Sequence, residues 1–167
     1  MSDLSTEISR KLQLWLRNHT RAAICSNTFI QGNPWECDVL AVMPSLLYYE
    51  YEIKVSDSDY RRDFTKKVSR YYRDEAKQWQ GVKVTKHEWL NAQDNILNRG
   101  VKPSKFYFVM PAELIREVPE YCGLIAYGSD FGYYGFKIMK QAGRLRGAEK
   151  LSNTQLFNLL YKAGYKS

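Results

Sequence analysis

Hydrophobic positions recur along this chain with two periods, and the switches between them outline a fold. From residue 3 to about 18, Leu4, Ile8, Leu12 and Trp15 return every three or four residues, the stripe of an amphipathic helix, with Ser5 as candidate cap. "AAICSNTFI" (22–30) and "WECDVLAVM" (35–43) read as strands divided by the turn "QGNP". "PSLL" turns the chain again, and "YYEYEIKV" (48–55) runs back. A helix is predicted to start after Ser56, capped by Asp57 or Ser58, and to run to about Arg73. Residues 74–103 are polar, with scattered Trp79, Trp89 and Leu90, and read as a loop-rich or partly helical excursion. "KFYFVMP" (105–111) and "GLIAYG" (123–128) are continuous apolar runs, hence buried strands, with a short helix "AELIREV" between them. "GYYGFKIMKQA" reads as an edge strand or hairpin arm. "LSNTQLFNLLYKAG" (151–164) reads as a closing helix capped near Ser152 or Asn153 and ended near Gly164. The order predicts one α/β domain over residues 1–167: a mixed sheet with a three-strand meander and a βαβ crossover, helices on both faces.

The polar residues of the third strand break this pattern. Glu50, Glu52 and Lys54 share one face, because alternate residues of a strand point the same way. With the hairpin turn centred on Ser45, Asp38 faces Glu52, Glu36 faces Lys54 and Leu40 faces Glu50. Tyr49, Tyr51, Ile53 and Val55 then form the apolar face. Two carboxylates about 5 Å apart repel by roughly 3 kcal/mol at an effective dielectric of about 20. Either water screens them fully or a cation sits between them. A hard divalent ion such as Mg²⁺ takes oxygen ligands and keeps several waters, so Asp38, Glu52 and the backbone carbonyl of Ile53 would suit one. Lys54 beside it could orient or deprotonate a water, or steady charge on a phosphate. A slip of one residue would place these groups on opposite faces.

Charge narrows the choice of partner. The chain has 25 Lys+Arg against 18 Asp+Glu, a net +7, which favours nucleic acid first and an anionic membrane surface second. The three cysteines, Cys25, Cys37 and Cys122, show no C-x-x-C spacing, so neither a zinc site nor a disulfide framework is expected and a reducing compartment fits. The N-terminal stretch lacks the pattern of a signal peptide, and no apolar run reaches 18 residues. A cytoplasmic protein that does not engage the membrane is expected.

An Asp on one strand followed by Glu-x-Lys on the next resembles the PD-(D/E)XK nuclease superfamily. Here Asp38 lies in "ECDVLAV", and "EIK" is Glu52-Ile53-Lys54. The continuation "VSDSDYRRDF", and the later pair "FYFVMP" and "PEYCGLIAYG", are similar to the MmcB-like DNA repair proteins, a branch with short bacterial and phage members. The resemblance covers most of residues 1–128. It departs from the written signature at Cys37, where a proline is usual. It implies a restriction-endonuclease-like core of helix, meander, helix and further strand. It also implies a Mg²⁺- or Mn²⁺-dependent endonuclease acting on DNA in repair, recombination or phage DNA processing, in a bacterial or phage-infected cell. Asp38 and Glu52 would be metal ligands and Lys54 the catalytic lysine. Glu7, on the first helix, and Glu36 are candidate additional acids. Cutting both strands would call for two active sites and hence a homodimer.

Around this centre, Ser56 and Ser58 could cap a helix or contact phosphate. Arg61, Arg62, Lys66, Lys67 and Arg70 form a basic run in which 62, 66 and 70 share a helical face. Such a run is either a solvated face or a phosphate-binding one. His87 is a weaker candidate for site closure or DNA contact, and Arg144 and Arg146 mark a basic turn, either a phosphate-binding loop or an exposed one. Tyr71, Tyr72, Tyr133 and Tyr134 read as core or rim, with base stacking the minority role. Two other classes compete with the nuclease: a non-catalytic nucleic-acid-binding module on the same fold, and a structural or protein-interaction subunit. The last would show neither metal binding nor salt-dependent DNA affinity.

Overall fold

A computed structural model describes residues 2–93 and 101–164, without the side chains of residues 72 and 73. Helix α1 (Asp3–His19) is capped by Ser2, whose side chain accepts from the N–H of Ser5, so the cap lies one turn before the expected Ser5. Strands β1 (Ala23–Thr28), β2 (Cys37–Val42) and β3 (Tyr48–Ile53) form an antiparallel meander. The register of β2 on β3 pairs Val39 with Tyr51 and Leu40 with Glu50, as expected for a turn about Ser45. After the short helix α2 (Asp57–Asp63), strands β4 (Lys67–Arg73) and β5 (Trp79–Thr85) make a separate hairpin that leads into helix α3 (Lys86–Leu90). Strand β6 (Lys105–Pro111) lies parallel to β3, and β7 (Cys122–Tyr127) parallel to β6. Strand β8 (Phe136–Lys140) closes the sheet as an antiparallel edge. The six-stranded order is β1-β2-β3-β6-β7-β8, followed by helix α4 (Asn153–Lys162), capped by Ser152. This is the mixed α/β sheet that the pattern predicts, with the meander in front and two parallel crossovers behind.

Two expected elements are corrected. The helix after Ser56 ends at Asp63 rather than near Arg73, and "KVSRYYR" is strand β4. Its alternating Val68, Arg70 and aromatic residues suit a pleated surface, and pairing with β5 overrides the helical spacing of the arginines and lysines. "AELIREV" is a single 3₁₀ turn, Ala112–Leu114. Of the excursion, residues 74–93 and 101–103 are described, and they are largely hairpin and helix; residues 94–100 lie outside the described part.

Both faces of the sheet are covered. Ile8, Leu12 and Leu16 of α1 pack on Val39, Tyr51, Ile53 and Val109. On the opposite face Leu40, Tyr48, Phe106 and Phe108 meet Val68 and Val84 of the hairpin and Trp89 and Leu90 of α3. The three cysteines are free and buried. Among the described residues no helix is long and apolar enough to cross a membrane.

Candidate active site

The even-numbered face of β3, which carries the acids, is therefore an inner face. Glu50 is fully buried and Glu52 is 7% exposed. Their charges are met from across the fold. Lys86 Nζ, itself buried, lies 3.0 Å from Glu50 Oε1 and 3.4 Å from Glu52 Oε2. Trp35 Nε1 donates to Glu50 Oε1 at 2.8 Å. The Lys86 ammonium also sits about 5 Å from the ring centres of Trp35 and Phe106, a site that favours a cation. Burial alone would depress Lys86, but the carboxylates around it outweigh burial and hold its pKa well above the ordinary range. Burial pushes Glu50 upward against the pull of Lys86.

Lys54, just beyond β3, is held by a second set of acids. Its Nζ lies 3.1 Å from Glu52 Oε1, 3.0 Å from Asp63 Oδ1 and 3.9 Å from Asp59 Oδ1. Its burial disfavours charge, yet Glu52, Asp63 and Asp59 raise its pKa above the usual lysine value, so the ammonium stays protonated. Asp63 is positioned in turn by His87, whose Nε2 lies 2.5 Å from Asp63 Oδ2. His87 Nδ1 lies 2.9 Å from the Tyr121 hydroxyl. An ionised carboxylate can only accept, so Nε2 carries the proton and Nδ1 accepts from Tyr121. Burial keeps His87 below its ordinary pKa in spite of Asp63. Burial would raise Asp63, but His87, Lys86 and Lys54 together bring it well below the carboxylate range.

Both shifts make acid destabilising. As pH falls through the unfolded histidine value of about 6.5, the unfolded chain takes up a proton that native His87 resists. Near pH 4 the unfolded chain likewise protonates Asp63 first. His87→Gln is expected to flatten the loss of stability between about pH 7 and 5, and to cost about 1.5–3 kcal/mol at neutral pH through the lost charged hydrogen bond. Urea melts of both proteins across that range check it; parallel pH profiles would contradict it.

Asp38, half-buried at the start of β2, accepts from the N–H of Ile53 at 2.9 Å, so its side chain takes the place of the next backbone rung between the two strands. Its carboxyl is pushed up to about 7, first by burial and then by the charge of Glu52. Asp38, Glu52, Ile53, Lys54, Asp59 and Asp63 line one cleft of about 730 Å³. Arg62, Lys66, Ser56 and Ser58 line the same cleft, and α1 contributes Ser2 and Ser5. Among the described residues no three His, Cys, Asp or Glu side chains are grouped as a metal cage. A cation here would rest on Asp38, Glu52 and the Ile53 carbonyl, completed by water.

Other sequence candidates lie elsewhere. Glu7 is exposed on α1, 3.7 Å from Lys11 and outside the cleft lining. Glu36 is exposed and lines a different depression with Arg10 and Gln13. Arg61 pairs with Asp57 at 2.9 Å, away from the cleft. The helical face of 62, 66 and 70 does not exist, because α2 has ended. Lys67 is exposed on β4, and Arg70 stacks 3.4 Å from the centre of the Trp89 ring. Ser56 caps α2 and lies 3.3 Å, oxygen to oxygen, from Ser58. Tyr71 and Tyr133 are exposed, and the Tyr72 side chain is outside the described part. Lys86 and Asp63 were not legible as partners of the site. A signal existed for the first: Thr85 and Glu88 form a capping box, which starts a helix with Lys86 and His87 in its first turn.

Comparison with known proteins supports the architecture. The fold is similar to that of the SPO1766 protein of unknown function from Silicibacter pomeroyi, with TM-score 0.57 and 16% sequence identity over 96% of this chain and 84% of that one. At that identity the likeness shows the fold alone. No protein-family model and no curated protein sequence matches the chain.

Proposed function

We propose that this cleft is a metal-dependent deoxyribonuclease site that hydrolyses DNA phosphodiester bonds with Mg²⁺, or Mn²⁺ in its place. The setting would be repair, recombination or phage DNA processing inside a bacterial or phage-infected cell. One observation carries the reading: Asp38, Glu52 and Lys54, which resemble the PD-(D/E)XK signature, line a single cleft. The donor set suits a hard cation. Asp38 and Glu52 offer carboxylate oxygens and Ile53 a carbonyl on one cleft. The two Glu52 oxygens accept from Lys54 and Lys86, but each has a second lone pair to give. When bound, the ion would acidify a water and offset negative charge on the scissile phosphate.

The chain's own residues do the rest. Lys54 is protonated, which favours a donor rather than a base. Glu52 and Asp63 take two of its N–H groups, and the third can reach a phosphate oxygen where charge develops. Arg62 and Lys66 on the same cleft would hold the strand by its backbone. Lys54→Ala and Asp38→Ala are each expected to lower cleavage of labelled duplex, single-stranded and branched DNA by at least about 100-fold in Mg²⁺ or Mn²⁺. Chelator should abolish cleavage by the wild type. If wild type and both variants behave alike under every metal condition, the catalytic reading is wrong. The double engagement of Glu52 by lysines favours a second reading, a nucleic-acid-binding module on this fold. DNA retardation that persists in chelator, with no cleavage in any metal, would select it.

A further inference from the structure

The β4–β5 hairpin has one face too many for a structural role alone. Its register pairs Lys67 with Thr85, Ser69 with Lys83, Tyr71 with Gly81 and Arg73 with Trp79. Cross-strand partners share a face, so Val68, Arg70, Val82 and Val84 belong to the inner side. Val68 and Val84 are in the core, and Arg70 stacks on Trp89. The outer side carries Lys67, Tyr71, Trp79 and Lys83, with no acid at any of its positions. The outer face of such a ribbon is normally polar. Here Tyr71 is 69% exposed and Trp79 66% exposed.

The exposed tyrosine lies over Gly81 on the partner strand. A Cβ at this position would lie 3.2 Å and 3.4 Å from carbons of the Tyr71 ring. Its φ is not in the left-handed region, so backbone conformation does not call for glycine here. The missing side chain instead makes room for the ring, which lies against the strand and presents its other side outward. Trp79 is its diagonal neighbour on the same face, about 7 Å away by strand geometry. Two aromatic platforms with a pair of lysines on their foot side match a strand of unpaired nucleotides, in which base faces and phosphates are both open to contact. A duplex hides its base faces. The foot of the ribbon is continuous with the cleft: Lys66 lines the cleft and Lys67 opens β4. Four residues of strand, about 13 Å, separate Lys67 from Tyr71.

We infer that the outer face of β4–β5 binds single-stranded DNA, with Tyr71 and Trp79 stacking on bases and Lys67 and Lys83 on phosphates. The bound strand is led past Lys66 into the cleft. This rests on the reading of the cleft as a DNA-processing site, and makes a single-stranded end or flap its substrate.

Fluorescence anisotropy in chelator tests it, using labelled oligothymidylate of roughly 20 nucleotides and a duplex of the same length. The wild type should bind the single strand about 10-fold more tightly than the duplex. Tyr71→Ala and Trp79→Ala should each weaken single-strand binding about 10-fold with unchanged thermal melting, while Tyr71→Phe retains it. Lys67→Gln with Lys83→Gln should flatten the salt dependence. Failure of single-strand binding by the wild type, or full affinity in a Tyr71→Ala Trp79→Ala double variant, overturns the ribbon. If metal-dependent cleavage by the wild type persists in that case, the cleft reading stands without it. If the ribbon binds as expected but no metal supports cleavage, the ribbon stands and the cleft reading falls.

Discussion

Asp38→Asn is expected to lose metal-dependent DNA cleavage by at least about 100-fold and at the same time to melt at a higher temperature than the wild type at about pH 8. The second effect follows from the raised carboxyl, which lies at about 7 in the folded protein. Between about pH 4 and 7 the native state holds a proton at Asp38 that the unfolded chain has released, so the contribution of this group to stability falls as pH rises through that window. Above about pH 7 the folded protein keeps a charged, half-buried carboxylate facing Glu52. Asparagine removes that charge and can still accept from the Ile53 N–H. Calorimetry in chelator with a parallel cleavage assay checks both halves. A variant that is inactive because it fails to fold would melt lower, which separates a ligand role from a structural one.

Lys86→Ala is expected to be the most destabilising single change in the site, by about 3–5 kcal/mol, because it leaves the fully buried Glu50 without a cation and Glu52 with Lys54 alone. Glu50 would keep only its bond from Trp35, and Glu50 Oε2 already lacks a partner among the described residues. Pairing Lys86→Met with Glu50→Gln should restore a large part of the loss, since removing both charges avoids the uncompensated one. Urea unfolding of Lys86→Met, Glu50→Gln and the double variant measures the coupling. A loss below about 1 kcal/mol for Lys86→Ala would contradict the dependence of Glu50 on Lys86.

The legible part of this site was the part built from neighbours in sequence. Asp38, Glu52 and Lys54 are set by one hairpin, and a short turn plus strict alternation fixes which residues share a face. Alternation places Glu50 on the polar face of β3 but leaves its burial open; it is fully buried, because burial is decided by what folds over the strand. That cover comes from β4, β5 and α3, and the partners it brings are distant: Lys86 reaches Glu52 across 34 positions and His87 reaches Asp63 across 24. Local spacing even pointed the other way at Arg62, Lys66 and Arg70, which suit a helix face until Lys67–Arg73 finds Trp79–Thr85 as a strand partner. The centre of the sheet was readable because β6 and β7 are buried on both sides and leave continuous apolar runs.

The central claim is that Asp38 and Glu52 together hold a divalent cation in this cleft. Titration of Mn²⁺ into wild type and Asp38→Asn, with free Mn²⁺ read by electron paramagnetic resonance, tests it without requiring the right DNA. The expected result is saturable uptake at a single site by the wild type, displaced by Mg²⁺, and weakened at least about 10-fold in Asp38→Asn. Superimposable titrations for the two proteins, or no uptake by the wild type, would contradict it.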